Sequence, residues 1–182
     1  MLLGMTHEER LEAFLQVLYQ EFPTLQILPK AQRWHQRWAG ALLKLITFGA
    51  QSAYLTNYTT TLGTRRIYTP TDWVRYSAAE RYIILRHERA HLRQFKRYGL
   101  PLMVLLYGLL PLPAGLSYFR MRFEREGYEE SIRASKEIYG RSHVQSESFQ
   151  QWIVSQFTSG AYGWMWPFPK AVRAWVRACA DE

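Results

Sequence analysis

The sequence predicts a mostly helical α+β fold with a small antiparallel sheet, and three observations lead to that prediction. Apolar side chains recur at helical spacing along most of the 182 residues. Residues 52–69 are instead rich in β-branched and aromatic types, with Gly63 between two short runs. The composition, 48% hydrophobic and 21% charged, is typical of a folded globular protein. We therefore expect residues 1–182 to form a single domain.

Local start and stop signals define the first helices. Thr6 and Glu9 have the spacing of a capping box, so a helix should begin there and end near Pro23. A second helix is predicted over residues 30–47, where tryptophan and aliphatic side chains form one stripe. Residues 1–50 should therefore form the N-terminal helical part of the fold.

The strongest helix signal follows the predicted sheet. Ser77 and Glu80 form another capping box, and Gly99 is a stop signal, so this helix should cover residues 77–98. The sheet precedes it by a short connection and should pack beside it. The remaining predicted elements are a helix over residues 118–139 and an aromatic C-terminal tail over residues 150–182.

Charge and cysteine content narrow the class of protein. Lys and Arg exceed Asp and Glu by 23 to 15, a net charge of +8 that favours an anionic neighbour such as phosphate, lipid or acidic protein. Cys179 is the single cysteine, which excludes an internal disulfide framework and a cysteine zinc cage. The first residues lack the apolar core of a secretory signal. We expect a cytoplasmic protein, with association to a membrane surface as the alternative.

One uncharged segment covers residues 98–119, a length that could span a bilayer. Pro101, Pro111 and Pro113 interrupt it, so its longest unbroken helical piece, residues 102–110, is too short to cross. We expect a buried core helix followed by a proline turn. A hairpin that rests on or enters a membrane is the alternative.

The run His87-Glu88-Arg89-Ala90-His91 is an H-E-x-x-H motif in the middle of the helix predicted over residues 77–98. Residues four apart share one helix face, so the imidazoles of His87 and His91 can bind one Zn²⁺. Glu88 lies beside the same site, where its carboxylate can reach a water on the metal. Zinc lowers the pKa of such a water to about 7, so a carboxylate can take its proton at neutral pH.

A catalytic zinc site needs a third protein ligand, and the next acidic cluster lies at residues 123–130 on the following predicted helix. An H-E-x-x-H motif, a connection and a glutamate-bearing helix together resemble the gluzincin class of zinc metallopeptidases, which includes thermolysin and small membrane-associated zincins. The resemblance covers about residues 54–133. It implies a zincin-like domain with Zn²⁺ as its cofactor and Glu124 as the ligand beside His87 and His91.

Glutamate helices of that class often read E-x-x-A-D, with the first Glu as the ligand. Glu124 matches if Gly127 stands for the small residue and Tyr128 for the acid, which in the class orients a ligand histidine. The residues themselves favour the same choice, because Gly127 suits the close approach of two helices and Glu124 shares a face with Tyr128. Glu126, about half a turn away, remains the alternative third ligand.

These residues predict zinc-dependent hydrolysis of peptide bonds, with a peptide or protein as substrate and endopeptidase action. Glu88 would deprotonate the attacking water and pass the proton to the leaving amine. A group that stabilises the oxyanion is also expected, and Tyr128, His143 and Tyr162 are candidates by residue type. No spacing chooses among them, and Tyr128 is retained with Glu88 as the catalytic pair. The class further implies that a strand within residues 58–68 pairs with the extended substrate.

Two other functions remain open. A non-enzymatic module could bind a membrane surface through the aromatic run at residues 163–168 and the basic Arg173 and Arg177 behind it. The same run could instead cover the domain core. Nucleic acid is the weaker partner, because the chain has no recognised nucleic-acid motif. The second alternative is a zinc hydrolase that acts on an amide other than a peptide.

Overall fold

The structure, a computed structural model, describes residues 4–30, 59–109, 118–159 and 165–182. Of these residues 74% are helical, and a small three-stranded mixed sheet accompanies the helices, which confirms the mostly helical α+β fold. The helix predicted over residues 30–47, the first predicted strand, the proline turn and Tyr162 lie wholly or almost wholly outside the described residues.

The chain divides into two compact units, Met1–Ile84 and Leu85–Glu182. Both units include part of the helix predicted over residues 77–98, which continues without a break across residues 84 and 85. Whether the chain behaves as one domain stays a prediction.

The first unit contains helix α1 (His7–Glu21) and the sheet. The α1 capping box is present: the Glu9 amide donates to the Thr6 hydroxyl at 3.2 Å, and the Thr6 amide donates to the Glu9 carboxylate at 2.7 Å. These bonds satisfy amides that have no partner within the helix. Further along α1, the side chains of Phe14 and Leu18 are buried.

The sheet has the order β1-β3-β2, with strands β1 (Gln26–Pro29), β2 (Thr60–Leu62) and β3 (Arg66–Thr69). Strands β2 and β3 form the predicted antiparallel pair, but β1 pairs with β3 in parallel, so the expectation of a purely antiparallel sheet was wrong. Four residues are too few to show an alternating pattern, and the long connection from β1 to β2 permits a parallel return. Within the described residues β2 is an edge strand, as predicted.

Helix α2 (Ala78–Tyr98) begins after the predicted capping box, in which the Ser77 amide and hydroxyl donate to the Glu80 carboxylate at 2.7 Å. It ends at Gly99, whose φ of 76° lies in the left-handed region. A short helix α3 (Leu100–Met103) and a π-helical turn (Val104–Leu109) follow.

The described part of the uncharged segment is not a buried core helix, so that prediction was wrong. Among residues 100–105 only Met103 is buried, and the four aliphatic side chains Leu100, Leu102, Val104 and Leu105 are each more than 40% exposed. A single turn of helix followed by a wide turn points side chains in every direction, and only part of them can meet a neighbouring helix. Among the described helices, none is long and apolar enough to cross a membrane.

The remaining helices of the second unit are α4 (Tyr118–Tyr139), α5 (Arg141–Gln145), α6 (Glu147–Thr158) and α7 (Pro169–Asp181). Helix α4 has the predicted bounds. Their apolar faces form one hydrophobic cluster that includes Ile132, Ile153, Phe157 and Val176, all fully buried. Burial at about 25 cal/mol per Å² of apolar surface is the main force that holds these helices together.

Several described residues of the aromatic tail belong to this core, whereas Trp152 and Phe168 are exposed. Met165 and Trp175 are buried, and Trp166 packs against the same cluster. The guanidinium of Arg125 on α4 lies between two indole rings, 5.4 Å from the Trp166 ring centre and 5.2 Å from that of Trp175. These cation–π contacts fasten the tail to α4.

Candidate metal centre

Helices α2 and α4 bring two histidines and one glutamate to a single point. The Nε2 atoms of His87 and His91 are 3.1 Å apart. The Glu124 carboxylate approaches both rings, with Oε2 at 3.4 Å from Nε2 of His87 and Oε1 at 3.7 Å from Nε2 of His91. The ligand atoms of the three residues all lie within 4.8 Å of one another.

These distances suit a shared metal ion. Two tetrahedral bonds of about 2.0–2.1 Å place their ligand atoms about 3.3 Å apart, close to the 3.1 Å between the two Nε2 atoms and to the 3.4 Å from Glu124 Oε2 to Nε2 of His87. Glu124 is only 2% exposed, and its buried Oε2 makes no regular hydrogen bond. A buried carboxylate oxygen without a hydrogen-bond partner lowers the stability of a protein core. It is expected of a metal ligand, because the metal would be its partner. His87, His91 and Glu124 therefore form a group that could hold a metal ion.

Both imidazoles are oriented through their other ring nitrogen. Ser131 Oγ lies 3.2 Å from Nδ1 of His87, and since Ser131 donates its own proton to the Gly127 carbonyl, it accepts from the ring. Gln94 Oε1 lies 2.9 Å from Nδ1 of His91 and accepts in the same way. With the proton on Nδ1, each Nε2 presents its lone pair to the centre, as a metal ligand must.

Glu126, the alternative third ligand, supports this arrangement from outside. Its exposed carboxylate accepts a hydrogen bond from Gln94 Nε2 at 2.8 Å, and the same amide donates to the Phe123 carbonyl at 3.0 Å. Because the amide nitrogen is committed to these two acceptors, the amide oxygen must face His91. The structure thus brings Glu124 to the two histidines and places Glu126 behind Gln94.

Gly127 is the point of closest approach of the two helices. A Cβ atom at this position would lie 2.7 Å from both Cε1 and Nε2 of His87. No side chain fits in that space, so the absence of one lets the His87 ring lie against the α4 backbone. The expectation that Gly127 permits close helix packing is confirmed.

The charges of the site are arranged for a cation. Burial alone would raise the pKa of Glu124, but its polar contact with His87, the positive charges of His91 and His87 and the Tyr107 hydroxyl lower it to about 2. Burial also lowers the pKa of His87, and the contact with Glu124 and the negative charges of Glu124 and Glu88 outweigh it and raise that pKa. A buried carboxylate that stays ionised attracts positive charge, which either a protonated histidine or a metal can supply.

Tyr107 was not foreseen from the sequence. Its hydroxyl donates a short hydrogen bond to Oε1 of Glu124, and its ring centre lies 6.3 Å from that of His91. Arg120 donates to the Tyr107 carbonyl at 3.0 and 3.2 Å, which fixes the π-helical turn against α4. Burial, followed by the charge of Glu124, raises the pKa of Tyr107 well above its ordinary value, so the phenol remains a donor. The one available signal was that Tyr107 is the only hydrogen-bonding side chain between Gly99 and Gly115.

Glu88 and Tyr128, the two residues assigned to catalysis, both lie near the candidate metal ligands. Glu88 is 5% exposed, and its negative charge raises the pKa of both His87 and Tyr107, so its carboxylate lies within electrostatic reach of both. Tyr128 is also 5% exposed and packs edge-on against the His87 ring, with 4.9 Å between the ring centres. Tyr128 therefore supports a ligand ring, and its catalytic role stays a prediction.

His143 lies in a different environment. Its ring contacts those of Tyr139 and Phe149, at 4.8 and 5.0 Å between centres, at the junction of α4, α5 and α6. It is thus placed among aromatic side chains of the helical core. Its proposed contact with an oxyanion stays untested.

Comparisons with known proteins give no family for this chain. No protein-family model matches it, and neither the curated proteins nor the solved structures yielded a significant similarity. The functional argument therefore depends on the site itself.

Proposed function

We propose that the protein is a zinc-dependent hydrolase of peptide bonds, with His87, His91 and Glu124 as the metal ligands. The observation that carries the proposal is that ligand atoms of His87, His91 and Glu124 converge within 4.8 Å, with one buried carboxylate oxygen of Glu124 that has no hydrogen-bond partner. Two imidazoles and one carboxylate are a donor set typical of catalytic zinc, which keeps a further position for water or substrate. Zinc held there would supply a Lewis acid that activates water at neutral pH and polarises a carbonyl.

The chain's own groups would then manage the protons. Glu88 follows a ligand histidine directly and is buried beside the group, so its carboxylate would accept a proton from the attacking water. It would later return that proton to the leaving amine. Tyr107 and Tyr128 contact the group through Glu124 and His87 respectively. The Tyr107 hydroxyl donates to Glu124, so the Tyr128 hydroxyl would serve as the donor to the developing oxyanion.

The sheet offers a further part of this proposal. An edge strand presents unpaired backbone groups, and β2 lies at the edge of the described sheet, so it would add an extended substrate as a neighbouring strand. This role depends only on the position of β2 at the edge of the sheet and is independent of the metal chemistry.

The test compares the zinc content and the activity of Glu88→Gln. Purified wild-type protein should contain one zinc per chain by elemental mass spectrometry and should cleave members of a peptide library. Glu88→Gln should retain the zinc and lose about 10²- to 10⁴-fold in cleavage rate, since it removes the proton acceptor alone. Glu12→Gln, an exposed change on α1, is the matched control and should leave both unchanged.

Three results would contradict the proposal. They are wild-type protein that takes up no zinc, zinc-loaded protein that cleaves no peptide, and a Glu88→Gln variant as active as wild type. A double His87→Ala, His91→Ala variant should lose the zinc, and zinc retained by that variant would place the ion elsewhere.

A further inference from the structure

Exposed apolar side chains are concentrated on one turn of the second unit. Leu100 and Leu102 of α3 and Val104 and Leu105 of the π-helical turn are 41–45% exposed. The first two residues of α4, Tyr118 and Phe119, are 58% and 41% exposed. We refer to these six side chains as the apolar turn. An apolar group of this kind on a protein surface marks a site of interaction.

The two parts of the apolar turn are joined. The Arg120 guanidinium, one residue after Phe119, donates two hydrogen bonds to the Tyr107 carbonyl and lies 5.1 Å from the Tyr107 ring centre. These contacts hold the first turn of α4 against the π-helical turn. The exposed side chains of the apolar turn thus lie on two elements that are held together.

The charged residues next to the apolar turn in the sequence are all basic. From Phe95 to Phe123 the sequence contains no Asp or Glu, and it contains two basic residues at each end: Lys96, Arg97, Arg120 and Arg122. Lys96, Arg97 and Arg122 are exposed. The first turn of α4 has no acidic residue to offset the positive end of its dipole.

We propose that the apolar turn docks the protein onto an anionic membrane surface. Exposed aliphatic and aromatic side chains would enter the boundary between headgroups and acyl chains, and the basic residues on both sides would contact the lipid phosphates. The four basic residues that flank the apolar turn favour lipid over an ordinary protein partner, since the cores of protein interfaces are depleted in charged residues. A second copy of this chain would bring the same positive charges together and is disfavoured for that reason.

The test is co-sedimentation of the full-length protein with vesicles. The two probes are vesicles of pure phosphatidylcholine and vesicles of one-third phosphatidylglycerol in phosphatidylcholine. We expect binding to the anionic vesicles, weak binding to the neutral ones, and loss of most binding in about 1 M salt, where charge interactions are screened within a few ångströms.

Matched variants separate the apolar turn from other surfaces. Val104 and Val17 are 44% and 45% exposed, and Val17 lies on α1. Val104→Asp should weaken partition onto anionic vesicles by about tenfold or more, because it removes an inserted side chain and adds a repelled charge. Val17→Asp should leave the partition close to that of wild type.

A charge-matched pair gives a second measurement. Arg97→Gln with Arg122→Gln removes two positive charges beside the apolar turn and should weaken binding about 25-fold, at roughly fivefold per charge. Arg65→Gln with Arg66→Gln removes the same charge from exposed positions at the sheet and should change binding much less. Circular dichroism confirms that each variant is folded.

The proposal is overturned if neutral and anionic vesicles bind equally, or if Val104→Asp binds as well as Val17→Asp. It is also overturned if wild-type protein self-associates in ultracentrifugation and Val104→Asp does not, since the apolar turn would then serve a second copy. None of these readouts depends on zinc or on hydrolysis, so the docking proposal and the proposed function can fail separately.

Discussion

Residues that are not ligands decide the geometry of the metal centre as much as the ligands do. Gly127 illustrates this, because the His87 ring occupies the space that any side chain at that position would fill. Ser131 and Gln94 act similarly, since each fixes one imidazole by accepting from its Nδ1 proton. At Nδ1, the two imidazoles are therefore held by neutral acceptors, a hydroxyl and an amide oxygen.

Gly127→Ala is expected to disrupt the metal centre while favouring the helix. Alanine stabilises a helix interior by about 0.8–1.0 kcal/mol relative to glycine, so propensity alone predicts a gain in stability. The added Cβ, 2.7 Å from the His87 ring, should displace that ring and weaken zinc affinity by at least about 10- to 100-fold. Competition with a colorimetric chelator measures the affinity. Unchanged affinity would show that the ring can move without cost.

The local part of the site could be predicted from the sequence, and the contacts between distant residues could not. His87, Glu88 and His91 lie within five residues of one helix, so their spacing alone places them on neighbouring faces. Tyr107 meets Glu124 only because a π-helical turn follows α3, and no periodic pattern announces such a turn.

At the scale of elements, the fixed placement of α2 against α4 keeps the ligands together. Arg86 on α2 bonds to Glu130 on α4 at 2.8 and 2.9 Å and also pairs with Glu137 at 3.1 Å. Arg133 pairs with the same Glu130 at 3.1 Å. Arg86 is 14% exposed and Glu130 21%, so this pair is shielded from solvent more than a surface ion pair, whereas Arg133 is 50% exposed.

Glu130→Gln should destabilise the second unit at neutral pH and change its acid unfolding. Burial alone would raise the pKa of Glu130, but Arg86 and Arg133 outweigh it and lower that pKa. Stability from the ionised form is therefore present above the ordinary carboxyl pKa and is lost as pH falls through the lowered value. The variant should lose about 1–2 kcal/mol at pH 7 and approach wild type as the pH falls through the lowered pKa of Glu130.

Urea unfolding of both proteins across this pH range measures the effect. Glu147→Gln serves as the control, because Glu147 is 70% exposed in its pair with Arg173 and should contribute little. A difference between Glu130→Gln and wild type that stays constant from pH 7 to pH 2 would contradict the assignment.

Elements with strong local signals were predicted correctly, and those that depend on distant pairing were not. The capping boxes at Thr6 and Ser77 and the stop signal at Gly99 gave helix bounds within about two residues. Strand β1 was missed, because its four residues become a strand only by pairing with β3, which lies some 40 positions away.

At the scale of the whole molecule, the division into two units predicts where a metal would stabilise the protein. All three proposed ligands belong to the unit Leu85–Glu182. Zinc at 100 times its dissociation constant would stabilise a folded unit that binds it by about 2.7 kcal/mol, which slows amide exchange through unfolding about 100-fold.

Hydrogen exchange with and without a chelator should therefore show a local pattern. Removal of zinc should accelerate exchange in α4 and in the part of α2 that follows Ile84, while α1 and the sheet change little. The Gly127→Ala variant should show a smaller chelator effect, because it binds zinc more weakly. Equal acceleration in both units would mean that the metal stabilises the chain as one cooperative body.

Cys179, the single cysteine of the chain, lies on α7, whose buried side chains belong to the hydrophobic cluster. Burial, followed by the charges of Glu129 and Glu182, raises the pKa of Cys179 to about 11, so almost none of it is the reactive thiolate at neutral pH. Cys179 is partly exposed in the folded protein, so detachment of α7 would complete the exposure of its sulfur and return the thiol pKa to its ordinary range. The protein thus carries a built-in chemical reporter: a rise in the alkylation rate of Cys179 above that of the folded state shows that its C-terminal helix comes away.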